Sequence, residues 1–180
     1  MTGRATPSRA IASYGTVFAS SLIEQRVAST VGPVDGHPNL VTSCRAELSG
    51  ISATLYLVYR GCQYYHITEG AMALYCDNKG ALKNAFHPIK AGITPYYKTD
   101  HDLIEVAQAL ITLIPIVIST SWAKGHFTGK NKQYQHILNE EADNFAGQYQ
   151  NILWKTKWTH QVFQKVHWDA HEHAFCWLHR

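Results

Sequence analysis

Ala71-Met72-Ala73-Leu74-Tyr75-Cys76-Asp77-Asn78 is an apolar run that ends abruptly at a carboxylate. Lys79-Gly80-Ala81-Leu82-Lys83 follows and can open a helix. Bounded by Gly70 and Asp77, a run of this length reads as a strand buried on both faces. An acid where such a strand gives way to a helix lies at the carboxyl edge of a sheet, where open α/β sheets place their sites. The competing reading makes Asp77 or Asn78 merely the N-cap of that helix, worth about 1 kcal/mol. Two further acids, Glu47 and Asp143, bear on the choice.

On the C-terminal side, a short helix over Lys79 to Phe86 closes at Pro88. A loop through Gly92 and Pro95 leads to Thr99-Asp100-His101-Asp102, the start of a helix striped by Leu103, Ala107, Leu110 and Ile114. Asp100 and Asp102 are expected to cap it. Pro115 ends that helix, and Ile116-Val117-Ile118 with Thr120 and Trp122 make a second buried strand. The basic loop Ala123-Lys124-Gly125-His126-Phe127-Thr128-Gly129-Lys130-Asn131-Lys132 is not a P-loop, because Asn131 stands where Ser or Thr is required. A last helix follows with Leu138, Ala142, Phe145 and Tyr149 on one side, and Asn139 and Asp143 share a face four residues apart.

On the N-terminal side, a helix opens near Thr42-Ser43-Cys44 and carries Leu48, Ile51, Leu55 and Val58 at helical spacing. Glu47 is expected in its first turn, where a negative charge suits the dipole; taken alone it needs no other role. Ser13 to Leu22 and Gln25 to Val31 read as two strands paired in a hairpin. Gly32 to Asn39 is turn chemistry, with Asp35 a turn residue. Met1 to Ala10 shows no periodicity and reads as a flexible leader. The order of elements predicts an α/β fold: a mixed sheet, antiparallel hairpin first and parallel strands later, flanked by helices.

At 180 residues the chain fits one domain with a sizeable core. With 46% hydrophobic and 16% charged residues it is not a disordered chain. A net charge of +3 permits contact with a polyanion without demanding it. Cys44, Cys62, Cys76 and Cys176 form no CxxC pair, which points to reduced thiols and an intracellular setting, nucleus and cytoplasm undistinguished. The longest apolar run, Ala109 to Ile118, is too short to span a bilayer, so no membrane partner is expected.

Five segments in this order resemble the ribonuclease H family, of the kind carried by retroelements beside a reverse transcriptase. They are Ser13-Tyr14-Gly15 in the hairpin, Arg45-Ala46-Glu47-Leu48 opening the long helix, and Cys76-Asp77-Asn78 ending a central strand. Trp122-Ala123-Lys124-Gly125-His126 follows the last strand, and Leu138-Asn139-x-x-Ala142-Asp143-x-x-Ala146 lies on the final helix. The resemblance covers residues 11–150, with 1–10 as leader and 151–180 as an aromatic- and histidine-rich extension. It implies a ribonuclease H-like nuclease, a hydrolase cutting the RNA strand of RNA–DNA hybrids and once part of a larger retroelement polyprotein. Such a substrate is recognised by backbone shape and 2′-hydroxyls.

In-line hydrolysis of a phosphodiester uses two metal ions about 4 Å apart, one activating water and one stabilising the leaving oxygen. Magnesium takes oxygen ligands, so carboxylates from several elements suffice. By resemblance Glu47, Asp77 and Asp143 are metal-binding catalytic acids for two Mg2+ ions, with Mn2+ an alternative. His126 matches a histidine that assists proton transfer or product release. Asn139 supports the ligands, and Asn78, Lys124 and Lys130 are nucleic-acid contacts. The family's first strand, with an Asp-Gly pattern, has no counterpart before the Ser13 hairpin, since no acid precedes Glu24. The expectation is therefore an N-terminally truncated fold with an incomplete site: an impaired nuclease, or an inactive nucleic-acid-binding remnant. In the extension, His167, His171, Cys176 and His179 are weighed as zinc ligands against an amphipathic segment. Trp154, Lys157 and Trp158 are weighed as stacking against packing residues.

Overall fold

The computed structural model describes residues 12–36, 41–87 and 99–155. Among them the chain runs β1 (Ser13–Ser20), β2 (Gln25–Pro33), α1 (Ser43–Tyr64), β3 (Ala71–Cys76), α2 (Lys79–Phe86), α3 (His101–Leu113), β4 (Val117–Trp122) and α4 (Tyr134–Lys155). This is the mixed α/β order expected. β1 and β2 pair antiparallel, from Ser13 opposite Pro33 to Ser20 opposite Gln25. β3 and β4 pair in parallel, from Ala71 opposite Val117 to Cys76 opposite Trp122. The histidines, Cys176, Lys157 and Trp158 of the extension lie outside the described residues, as does the leader, and the side chain of Trp154 is likewise not described.

Strand alternation sorts β1 between two helices. Ser13 Oγ donates to the Ala146 carbonyl at 2.7 Å, and a Cβ on Gly15 would run into the Ala142 carbonyl, so these residues lie against α4. Thr16 accepts from Thr54 Oγ1 at 3.1 Å, and the Tyr14 Cβ lies 3.5 Å from where a Cβ on Gly50 would stand, so the alternate residues face α1. Leu138, Ala142, Phe145 and Tyr149 are all half-buried on α4. Arg26 of β2 reaches the same helix, pairing with Glu141 and lying over the Phe145 ring.

The core lies where α1, α2 and α3 meet β3. Leu48, Leu55 and Ile104 are fully buried, with Ile51, Leu74, Cys76, Ala107 and Leu110 around them. Ile104 takes the place expected of Leu103, which is only partly buried. β3 is not buried on both faces. Leu74 and Cys76 point into the core, while Ala71, Ala73 and Tyr75 are exposed on the other side. β4 is likewise mostly exposed, with only Ile118 half-buried. The helices cover one face of this pair, and the local run of apolar residues carries no record of which face is left open.

Hydrogen bonds join the two strand pairs into two separate sheets, with no ladder between β1 and β3 among the described residues. Both pairs nevertheless share α4 and the flanks of α1. Among the described residues, β2 is the strand that pairs with β1.

Thr42 caps α1, accepting from the Arg45 N–H at 3.1 Å. The helix thus begins at Ser43, which places Glu47 just beyond the first turn and not within it. The expected capping role of Asp100 and Asp102 is also corrected. Asp100 holds the N-cap position with φ of 64° and makes no side-chain cap bond. Its carboxylate instead accepts from Arg45 at 3.1 Å, and Asp102 takes the same guanidinium at 2.9 and 2.6 Å. Arg45 Nε donates to the Asp35 carbonyl at 2.6 Å. The charge of a buried arginine outweighs a cap, because leaving it unpaired costs more.

Arg45→Met is expected to destabilise the protein by about 3 kcal/mol, since it strands the buried Asp100 carboxylate. Asp102→Asn should cost about 1 kcal/mol or less, because that carboxylate is largely exposed. Urea denaturation of both variants checks the order, and equal losses would show that Asp100 is not the partner that matters.

Candidate active site

β3 ends at Cys76, and the chain turns at once into α2. Asn78 is the N-cap, its side chain accepting from the Ala81 N–H at 3.0 Å. That resolves the earlier ambiguity: Asn78 caps, and the Asp77 carboxylate is left at the sheet edge. Trp122 Nε1 donates to the Asp77 carbonyl at 2.8 Å, and the Ala123 N–H donates to the Cys76 carbonyl at 3.0 Å. The ladder thus runs one step past β4 and brings the following loop against Asp77. A Cβ on Gly125 would collide with the Asp77 carboxylate. The next residue, His126, has φ of 48°, a left-handed conformation uncommon outside glycine and often found where function demands it.

Three acids from three elements face one open cleft of about 580 Å³. Glu47 of α1, Asp77 after β3, Asp143 of α4 and His126 of the loop after β4 all line it. Ser43, one turn before Glu47, and Asn78, Lys79 and Gly80 at the start of α2 line the rest. Lys79 is held at 4.3 Å over the Trp122 ring, a cation–π contact at the rim. Beneath the acids, Cys76 donates its thiol hydrogen to Glu47 Oε2 at 3.3 Å and accepts from the Asn78 N–H at 3.3 Å.

Electrostatics bear out the crowding. Burial, then the Asp77 charge, pushes the Glu47 carboxyl up from its ordinary 4.5 to about 7, with a smaller push from Asp143 and partial relief from the Cys76 thiol. Burial and Asp77 also raise Asp143, opposed by His126. Burial and the Glu47 charge push the Cys76 thiol well above its usual range. The ligand atoms of Glu47, Asp77 and Cys76 all lie within 4.8 Å of one another. Oxygen donors so placed, desolvated and short of positive charge, fit a divalent cation.

Of the residues singled out in the sequence, Glu47, Asp77, Asp143, His126 and Asn78 meet at this cleft. Lys124 and Lys130 are exposed on the loop and Asn139 is half-buried one turn before Asp143; none of the three lines it. Sequence reasoning overlooked Ser43, Lys79 and the chemistry of Cys76. Ser43 is four residues before Glu47 and Lys79 directly follows the cap, so spacing along α1 and α2 carried a usable signal. The closeness of Gly125 to Asp77 had none.

No family model matches the chain, and no curated protein matches it. Among solved structures it is similar to the N-terminal RNase H domain of a Mycobacterium tuberculosis protein, solved as a fusion with maltose binding protein. The two are 17% identical with a TM-score of 0.49, over 82% of this chain and 96% of that one.

The raised Glu47 group makes the metal-free protein pH-dependent. Its folded pKa lies above its unfolded one, so the protonated carboxyl contributes stability in full below about 4.5, and this is lost as pH rises through about 7. The expected loss across that window is roughly 2 kcal/mol, and Glu47→Gln should not show it. Urea denaturation in a chelator checks this; parallel curves for the two proteins would contradict it. Gly125→Ala should weaken Mn2+ binding about 10-fold by displacing the Asp77 carboxylate. Calorimetric titration would read that change, and an unaltered affinity would mean that the loop, not the acid, gives way.

Proposed function

We propose that this chain is a ribonuclease H-like nuclease domain of retroelement origin that hydrolyses the RNA strand of RNA–DNA hybrids. The observation that supports it most is the meeting of Glu47, Asp77 and Asp143 at one cleft without enough positive charge to offset them. Such a group is costly unless a cation repays it. The three carboxylates would hold the divalent ions, magnesium or manganese by their oxygen chemistry. Bound there, the ions supply the Lewis acidity and activated water that phosphodiester hydrolysis needs.

The chain's own residues divide the remaining work. His126, which lines the cleft and lies near enough to Asp143 to act on its charge, would exchange a proton with a phosphate there. Asn78 and Lys79 at the start of α2 offer polar and positive groups to the backbone, aided by the positive end of that helix. Lys124 and Lys130 on the exposed loop would steer the polyanion from outside the cleft. Asn139 would act from behind Asp143. The minor groove of a hybrid, with its 2′-hydroxyls, is the surface such a shallow, open site can read.

A second reading, an inactive nucleic-acid-binding remnant, is favoured by one feature: among the described residues no ladder joins β1 to β3. A strand lying between β1 and β3 would unite the two pairs and could bring a fourth acid beside Asp77. Without it, the reading is of an impaired enzyme. No described helix is long and apolar enough to cross a membrane.

The test is magnesium-dependent cleavage of a labelled RNA–DNA hybrid. The chain from Met1 to Arg180 is expected to cleave weakly, and a version carrying an added N-terminal Asp-Gly strand much faster. In that version Asp77→Asn should lower the rate by at least about 100-fold, the scale on which loss of a key electrostatic group acts. Strong cleavage without the added strand, lost on Asp77→Asn, would leave the nuclease reading standing and overturn the impairment. Cleavage by neither form, with no metal-dependent binding of hybrid, would overturn the nuclease reading.

A further inference from the structure

The Cys76 side chain has no part in the reading above, yet it reaches the acids from below. β3 alternation sends Leu74 and Cys76 to the same side, but where Leu74 enters the core, the Cys76 sulfur meets Glu47. Cys76 is 4% exposed, sealed from solvent by the same core. Its Sγ lies 3.3 Å from Glu47 Oε2, and a ligand oxygen of Asp77 falls within 4.8 Å of both. Oxygen and sulfur donors sharing a tetrahedral zinc ion, at about 2.0 and 2.3 Å from it, stand roughly 3.5 Å apart. The Glu47–Cys76 edge is already near that spacing, and Asp77 needs to close by at most about 1.3 Å to complete the face.

We infer that Glu47, Asp77 and Cys76 form a mixed oxygen–sulfur site that takes a thiophilic divalent cation of the zinc class in preference to magnesium. Sulfur is a poor ligand for magnesium and a good one for zinc or cadmium. Binding exchanges a proton for a metal bond: the S–H bond breaks, the sulfur–metal bond forms, and the proton leaves. Glu47 already accepts that hydrogen and is the first group it meets on the way to the cleft. An ion so held engages two of the three acids on which the proposed nuclease depends. That consequence rests on the nuclease reading, and zinc-class ions then inhibit where magnesium activates.

Cadmium is the probe, because a thiolate–cadmium bond gives an ultraviolet charge-transfer band that carboxylates do not. The reduced chain from Met1 to Arg180 is titrated with Cd2+ in excess Mg2+, alongside Cys76→Ser and Asp77→Asn. The expected result is a saturable band in the parent chain and its loss in Cys76→Ser. Asp77→Asn should bind at least about 10-fold more weakly, as removal of a metal-site residue ordinarily does. A band unchanged in Cys76→Ser belongs to the other cysteines and overturns the inference, as does a band that excess magnesium erases. Should Cys76→Ser melt early, Asp77→Asn decides, since it leaves the core intact: unweakened binding there overturns the inference too. Magnesium-dependent hybrid cleavage with no Cys76 band would sink this inference and spare the nuclease reading. The band without cleavage under any ion would do the reverse.

Discussion

The Arg45 guanidinium ties together three segments far apart in sequence. It holds the start of α3 through Asp100 and Asp102, and the end of the β2 loop through the Asp35 carbonyl. All of this happens in the first turn of α1, two residues before Glu47. A planar fork with several donors suits the task, since one side chain satisfies two carboxylates and a carbonyl at once. Burying it is expensive, and the paired carboxylates offset that cost only because each is in hydrogen-bonding range. The axial position and rotation of α1 are set there, and with them the direction in which Glu47 points.

A second charge cluster, a short way along α1, is left unbalanced. At Arg45 the cation and anions compensate; at Glu47, Asp77 and Asp143 the anions face one another. The same helix therefore carries a satisfied ionic site and an unsatisfied one within a single turn. The first stabilises the fold and the second costs it stability. Such a contrast is what a binding site imposes on a structure that must also stay folded.

α1 and α4 give the two strand pairs a common frame. Gly15 against the Ala142 carbonyl allows β1 to approach α4 closely, which brings the Asp143 turn of that helix down to the sheet edge. Gly125 does the same for the loop after β4, at the Asp77 carboxylate. Both glycines serve close approach; neither has a positive φ. The open face of β3 and β4, with Tyr75 and Val117 exposed, is the counterpart of this arrangement, because the helices gather on the opposite side.

Elements and their order were legible in the sequence because each rests on local periodicity and punctuation. α2 was readable in extent from its apolar spacing, with the cap left open between Asp77 and Asn78, and the hairpin from its two aromatic and β-branched runs. That Glu47, Asp77 and Asp143 belong together was expected only from the family resemblance, since locally Glu47 reads as a dipole partner and Asp77 as a possible cap. Burial of β3 was misjudged because an apolar run looks alike whether one face or two are covered; only the arrangement of helices decides. Asp100 and Asp102 read as caps because capping is local, whereas their true partner lies more than fifty residues away. The Cys76 thiol beneath Glu47, and the room that Gly125 leaves for Asp77, are likewise contacts between distant segments. Periodicity determines what each element is, and only packing in three dimensions determines what its side chains touch.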